Sequence, residues 1–191
     1  ISQKSQEALH EAQNIAVRHG HVEVDSEHLL LALCQQPEGL IPRLLDKLGR
    51  PADVVTAEVE RRLNARPSVS GPGAEPGKIF ISQRLNSVLA DAETQAKRLK
   101  DEYVSVEHLI LAMLSDNSPA NTSGQLLREL GITRDRFLAA LTEVRGHQRV
   151  QSNNPEATYE ALDRYGRDLV KEAKAGKMDP VIGQIGRASW R

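Results

Sequence analysis

The sequence predicts an all-α domain in which a unit of four helices occurs twice. The segment 24–33 recurs as 104–113, with the pattern Val-x-x-Glu-His-Leu at the start of both copies. Apolar residues in each copy recur every three or four positions, which is the spacing of an amphipathic helix. No segment shows a convincing alternation of apolar and polar residues, the pattern of a half-buried strand. Two such units give about eight helices.

The two copies span 2–64 and 82–146, and a loop at 65–81 separates them. They align at an offset of 80 residues through the second helix and of 82 residues afterwards, which indicates a two-residue insertion in the second copy. The loop is rich in proline and glycine, which interrupt regular structure. We expect the two copies to form one domain over 1–146.

The first helix of each copy follows a serine, Ser2 or Ser82, whose side chain is a favourable N-cap. The second copy shows the apolar stripe of this helix most clearly. Its members are Leu85, Val88, Leu89, Ala92, Ala96 and Leu99. We expect this stripe to pack on the rest of its copy.

The second helix of each copy is short and apolar on nearly every face, so we expect it at the centre of its copy. Asp25 and Ser105 are its predicted N-caps. His28 and His108 lie in its first turn, where each can support the cap. Only these two of the six histidines occupy equivalent positions. A structural role is therefore preferred for them over a ligand role.

The third helix ends at Gly49 in the first copy and at Gly131 in the second, because glycine readily adopts the backbone conformation that ends a helix. A fourth helix is predicted at about 52–64 and at about 134–145. Each copy is thereby complete with four helices.

A polar, asparagine-rich segment at 146–155 ends the duplicated region. A proline at its start and a glycine past its end predict a last helix over 155–175. The residues 147–183 are interpreted as a helical linker that leads into a further module. The residues 184–191 fit no pattern upstream, and we expect them to be a non-native tail.

The composition limits the function. Among 191 residues, Lys and Arg contribute 25 and Asp and Glu 26, so the formal net charge is −1 and no bulk positive field favours nucleic acid or an anionic membrane. Aromatic residues make up only 3%, which disfavours a base-stacking platform. Cys34, the single cysteine, rules out an internal disulfide and a multi-thiolate metal site. We expect a soluble cytoplasmic protein without nucleic-acid or membrane partners.

No motif for catalysis or cofactor binding is found. The chain has neither the Gly-x-x-x-x-Gly-Lys-Ser/Thr loop that holds phosphates nor a His-Glu-x-x-His zinc motif. Cys34 ends an apolar helix and is interpreted as a small core residue rather than a nucleophile. Because no base, nucleophile and oxyanion donor occur together, we predict no enzyme activity, no catalytic residue, no metal site and no cofactor in this chain.

Glu27 and Glu107 are equivalent residues in the first turn of the second helices. One interpretation is structural, since the helix dipole favours a carboxylate at this end. The other is that the duplication places two carboxylates on related rims of one domain, where they could meet a cationic group of a client. The sequence leaves both interpretations open.

The tandem pattern, separated by a Pro/Gly loop, resembles the Clp repeat domain, which stands at the N-terminus of the Clp family of AAA+ unfoldases. The segments 159–169 and 176–183 are similar to the start of the first ATPase module in the ClpB type, the heat-shock chaperones of protein disaggregation. The resemblance covers about residues 2–183. It implies a pseudo-twofold helical domain whose chain stops at the start of that module, and we therefore expect the sequence to be a truncated product.

The resemblance also implies partners and a function. Such a domain is tethered above a hexameric AAA+ ring, captures exposed hydrophobic segments of misfolded or aggregated polypeptides, and works with a DnaK-type chaperone system. ATP is used only by the downstream modules, and we expect the isolated chain to be a monomer. The residues that match the client-responsive surface of the family are Ser2, Asp101 and Glu107. Leu89 is our candidate for the apolar groove beside them.

An alternative function belongs to the protease-associated ClpC or ClpA type of the same family. There the domain binds adaptor proteins or phosphorylated arginine, and the glutamates that match Glu27 and Glu107 engage the phosphoarginine. A third interpretation, an ATPase fragment with residual nucleotide binding at 176–183, is disfavoured because no phosphate-binding loop is present.

Overall fold

The computed structural model describes residues 1–68, 79–146 and 149–156, and the predicted helix over 155–175 therefore lies outside the described residues from 157 onwards. The described part of the chain contains eight helices and two short strands, which confirms the all-α duplicated class. The first repeat holds α1 (Gln3–Arg18), β1 (Glu23–Val24), α2 (Ser26–Gln35), α3 (Leu40–Lys47) and α4 (Ala52–Asn64). The second repeat holds β2 (Phe80–Ile81), α5 (Gln83–Arg98), α6 (Val106–Ser115), α7 (Thr122–Glu129) and α8 (Arg134–Arg145).

The first helices begin at the predicted serine caps. The Ser2 hydroxyl accepts a hydrogen bond from the Ser5 N–H at 3.1 Å, and the Ser82 hydroxyl accepts one from the Leu85 N–H at 3.0 Å. These bonds satisfy backbone donors that have no partner within the helix. The third helices end where predicted, since Gly49 and Gly131 have φ angles of +74° and +82°, a region that favours glycine.

The second helices are capped by a reciprocal arrangement that uses histidine where glutamate or glutamine is usual. His28 Nδ1 accepts a hydrogen bond from the Asp25 N–H at 2.9 Å. His108 Nδ1 accepts one from the Ser105 N–H at 2.8 Å. The predicted capping role of both histidines is thereby confirmed, because in each cap the ring Nδ1 pairs with the backbone N–H of the N-cap residue.

The helices α2 and α6 form the centre of the core, as their apolar faces predict. All but the last residue of each helix is buried. The helix α2 packs against α1 and α4, and α6 packs against α5, α7 and α8. Cys34 is buried at the end of α2, and this burial raises the pKa of its thiol to about 12, so the thiol is protonated at neutral pH.

The repeats are joined by an exchange of backbone hydrogen bonds that the sequence did not predict. The Ser82 N–H donates to the Val24 carbonyl at 3.0 Å, and the Ser2 N–H donates to the Val104 carbonyl at 2.7 Å. At the first of these seams β1 and β2 form a parallel pair of two residues each. Strands this short cannot show an alternating sequence pattern. The reciprocal exchange is what an approximate twofold relation between the repeats requires.

Truncation of Leu29 tests the central position of α2. Leu29 is fully buried, so Leu29→Ala is expected to lower the free energy of unfolding by about 2–5 kcal/mol. Leu89 is only partly buried, and Leu89→Ala is expected to cost less than about 1.5 kcal/mol. Urea denaturation of both variants measures the difference, and equal losses would contradict the assignment of α2 to the core.

Candidate functional site

Three of the predicted site residues lie together at one end of the second repeat. Ser2, Asp101 and Glu107 are 0%, 8% and 0% exposed. Glu27, 3% exposed, occupies the equivalent place in the first repeat. Leu89 lies apart from them on α5 and is partly exposed. Four of the five predicted residues are therefore buried, and a client could touch them only after the structure around them had opened.

Asp101 is the most fully paired carboxylate of the cluster. It accepts hydrogen bonds from His108 Nε2 at 2.7 Å, from Arg145 at 2.9 and 2.6 Å, and from the Val150 N–H at 2.9 Å. Burial alone would raise its pKa, but these donors outweigh burial and lower the pKa to about 2. Asp101 is thus ionised and joins α6, α8 and the segment that follows α8.

Glu107 is fully buried, and neither of its oxygens accepts a hydrogen bond within the described part of the chain. The Arg145 guanidinium is 3.7 Å away, too far for a hydrogen bond. Burial raises the pKa of Glu107 to about 7, with the Glu156 carboxylate acting in the same direction and His108 and Arg145 opposing it. This carboxyl group is therefore close to half-protonated at neutral pH.

The equivalent Glu27 has partners. The Arg66 guanidinium and the Thr122 hydroxyl both donate to its Oε1, the latter at 2.7 Å. Thr122 belongs to the second repeat, so the contact crosses between the halves. Each glutamate thus faces an arginine from the end of the fourth helix of its own repeat, at hydrogen-bond distance for Glu27 and farther away for Glu107.

Asp25 and His28 of the first repeat are also hydrogen-bonded, whereas the buried Ser26 hydroxyl has no partner in the described part of the chain. Asp25 accepts hydrogen bonds from Arg84, Arg66 and Ser82, and although burial opposes ionisation, the pKa of Asp25 lies well below its usual range. His28 Nε2 donates to His21 Nδ1 at 2.8 Å, and burial lowers the pKa of His28 to about 3. His28 is therefore a neutral donor.

Arg66, Arg145 and Glu156, which were not predicted as site residues, complete these clusters from distant positions. Arg66 fell in the predicted loop, and Glu156 in the predicted linker. The only signal for the two arginines was their position near the ends of the fourth helices, Arg66 just after α4 and Arg145 as the last residue of α8. No signal was available for Glu156, because its contacts are tertiary.

A surface cleft lies between α5 and α6. Its volume is about 530 Å³, and it has an apolar floor at Val88 and Ala112 with Arg84 and Asp91 among its polar rim residues. Leu89 does not line it. A smaller groove occupies the equivalent place between α1 and α2, with Ala8 on its floor. These clefts are mixed in polarity rather than apolar.

Three exposed large apolar side chains lie at the seam that carries the strand pair. Val22, Phe80 and Ile81 are 45%, 71% and 45% exposed, and we name these three residues the strand-pair patch. The Phe80 N–H donates to the Val22 carbonyl at 3.2 Å, and in the register of the pair Phe80 lies opposite Glu23 and Ile81 opposite Val24. Because successive strand residues point to opposite faces, the side chains of Phe80 and Ile81 lie on different faces of the pair. The other seam carries the partly exposed Ile1 and Tyr103. The sequence analysis placed 80–81 in a loop and missed this patch.

Within the described residues, no group of three or more histidine, cysteine and acidic side chains is placed to hold a metal ion. None of the helices in the same part of the chain is long and apolar enough to cross a bilayer.

Comparison with known proteins defines the class of the domain. Residues 1–130 match the Clp repeat (R) N-terminal domain. The fold is similar to the Hsp104 N-terminal domain from Candida albicans, with a TM-score of 0.66 at 24% identity over 82% of this chain and 98% of that one. It is also similar to the N-terminal domain of the ClpV1 ATPase from E. coli, with a TM-score of 0.64 at 20% identity over 82% and 90% of the two chains. The chain belongs to the Clp repeat N-terminal domain family.

Curated relatives narrow the type within this family. The chaperone protein ClpB of Nitratidesulfovibrio vulgaris is 57% identical over 96% of this chain and 21% of its own length. The chaperone protein ClpB of Bacillus cereus is 47% identical over the same shares. The resemblance to ClpB-type chaperones is confirmed, and the chain spans about a fifth of the length of these relatives.

The pH dependence of stability tests the environment of Glu107. A carboxyl group whose pKa is raised in the folded state holds its proton more tightly there, so stability falls as the pH rises from about 4.5 to about 7. Glu107→Gln removes this dependence. The difference in the free energy of unfolding between the variant and the unmodified chain is expected to shift in favour of the variant by on the order of 2–3 kcal/mol from pH 4.5 to pH 8.

Urea denaturation at the two pH values measures this gain, and the contributions of the other titrating groups cancel in the difference. Glu27→Gln is the matched control, because its loss of the ion pair with Arg66 is expected to destabilise the domain at pH 8. A constant difference between the Glu107→Gln variant and the unmodified chain would show that Glu107 is not a buried, poorly paired carboxylate.

Proposed function

We propose that the chain is the non-catalytic client-binding N-terminal domain of a ClpB-like, ATP-dependent protein disaggregase. It captures exposed hydrophobic segments of misfolded or aggregated proteins. The strand-pair patch is the observation that supports this proposal most directly. A 71% exposed phenylalanine, with two half-exposed aliphatic residues at the same seam, is unfavourable in water and favourable against an apolar partner.

The expected affinity is weak. Burial of one aliphatic or aromatic side chain of a client contributes about 1.5–3 kcal/mol. The loss of translational freedom and the ordering of a flexible client offset much of this gain. Two or three such contacts therefore give dissociation constants of about micromolar to millimolar. Weak binding suits a domain that passes its client onward.

The wider setting of the proposal comes from the relatives. In a ClpB-type chaperone the domain would stand above a hexameric AAA+ ring, which hydrolyses ATP, threads the client and works with a DnaK-type system. This chain would contribute recognition only. The alternative function, capture of an adaptor or of phosphoarginine by Glu27 and Glu107, gains no support from the geometry, because both carboxylates are buried and already face an arginine.

The strand-pair patch is tested by Phe80→Asp. Binding of the chain to fluorescein-labelled unfolded casein is followed by fluorescence anisotropy. The variant is expected to bind at least tenfold more weakly, because a charge replaces the largest exposed apolar surface. Val54→Asp is the matched control, since Val54 is 46% exposed but lies on α4, and its affinity should change less than twofold. Equal binding of native and unfolded clients would contradict the chaperone role.

The contribution of Leu89 is tested separately in the same assay. If Leu89 belongs to the client groove, Leu89→Asp should weaken casein binding several-fold while circular dichroism shows an unchanged helix content. Unchanged binding would remove Leu89 from the client-binding surface and leave the strand-pair patch as the site.

A further inference from the structure

The equivalent backbone N–H groups at the start of α2 and of α6 are hydrogen-bonded by carboxylates from different parts of the chain. In the first repeat the Asp25 carboxylate accepts hydrogen bonds from the Ser26 N–H at 2.7 Å and from the Ser82 hydroxyl at 2.9 Å. The second repeat has Ser105 in the place of Asp25. A serine side chain is shorter and carries no charge, so it cannot fill the same role.

A residue from outside the repeats supplies the missing carboxylate. Glu156 Oε1 accepts hydrogen bonds from the Val106 N–H at 3.2 Å and from the Ser2 hydroxyl at 2.6 Å. Val106 and Ser2 are the equivalents of Ser26 and Ser82 at the offset of 80 residues. Glu156 is 1% exposed, and its negative charge lies at the N-terminus of α6, where the helix dipole is favourable.

The segment 149–156, here named the strap, makes further contacts with both repeats. The Val150 N–H donates to Asp101 at 2.9 Å, and the Val150 carbonyl accepts from the Glu102 N–H at 2.8 Å. The Gln3 N–H donates to the Asn153 carbonyl at 2.6 Å. The Val150 side chain is fully buried. Such backbone pairing and burial are typical of a docked peptide segment.

We propose that this end of the second repeat is a docking site for the strap, and that Ser2 and Asp101 act by holding the strap rather than by touching a client. Both residues are buried, and both donate to or accept from strap residues directly. They are therefore positioning residues, which fix the direction in which the chain leaves the domain. The proposal does not rest on the proposed function, because its test needs no client.

With the strap in place, some buried carboxylate oxygens lack hydrogen-bond partners, and their burial opposes docking of the strap. Glu107 is buried without a hydrogen-bond partner in the described part of the chain, and so is Oε2 of Glu156. The Arg145 guanidinium faces the carboxylates of Asp101 and Glu107, and the Glu156 carboxylate lies close enough to Glu107 to raise the pKa of Glu107. Release of the strap would let water reach these groups. The strap is thus held by specific contacts but against a desolvation cost, which permits reversible release.

Amide hydrogen exchange of the chain tests the docking site. The reporters are the N–H groups of Glu102 and Val150, whose hydrogen-bond acceptors among the described residues both come from the contact with the strap. Glu156→Ala and Ser2→Ala are each expected to accelerate exchange at both reporters at least tenfold, with amides of α2 changing less than twofold. Ser82→Ala is the matched control, because it removes the same kind of N-cap but no strap contact, and it should leave both reporters unchanged.

Three outcomes would overturn the proposal. The reporters could exchange at unprotected rates in the unmodified chain, they could keep their protection in Glu156→Ala, or Ser82→Ala could accelerate them as much as Ser2→Ala.

Global destabilisation is separated from strap release by a disulfide test. Because Gln3 and Asn153 are joined by a backbone hydrogen bond, cysteines at these positions lie within disulfide reach. The Gln3→Cys/Asn153→Cys pair should crosslink under mild oxidation, and the equivalent pair Gln83→Cys/Asn153→Cys should not. Failure of the first pair to crosslink, or equal crosslinking of both, would show that the strap does not dock here.

Discussion

The structure depends on one constraint, the burial of the N-terminal turns of α2 and α6. These helices are apolar enough to form the core, but their first turns carry free backbone N–H groups, a glutamate and a histidine, all without access to water. Each of these groups needs a partner inside the protein. The partners come from the start of the first helix of the opposite repeat, from the end of the fourth helix, from residues just before the second helix and, for α6, from Glu156. Glu107 is the exception, since its oxygens accept no hydrogen bond within the described part of the chain. The requirement therefore holds the two halves together.

The two repeats meet this constraint with different residues. In the first repeat a pair of histidines and the arginines Arg66 and Arg84 complete the network, and every partner comes from the duplicated region or the residues beside it. In the second repeat Asp101 takes the place of His21, and Arg145 takes the place of Arg66. Glu156 is supplied by the strap. Duplication thus fixed the positions of the polar groups, while later divergence changed which parts of the chain satisfy them.

The sequence predicted the elements whose signals are local. The equivalence of His28 with His108 indicated their capping role, and Gly49 and Gly131 marked the ends of the third helices, because both signals lie within a few residues of the structure they specify. The strand pair and the contacts of Glu156 were missed, since they join residues far apart in the chain. The burial of Glu107 was missed for a related reason. A glutamate in a first helical turn is usually exposed, and only the packing of both repeats around it removes it from water.

The two seams between the repeats differ in composition and in what covers them. At the seam of Val24 and Ser82, the strand pair leaves Val22, Phe80 and Ile81 exposed, so the seam presents apolar surface outward. At the seam of Val104 and Ser2, the strap covers the equivalent backbone, so that seam connects the domain to the chain that follows. An approximate twofold relation would otherwise give two identical surfaces. Under the proposed function, asymmetry between the seams would let a duplicated unit face a client on one side while the strap occupies the other.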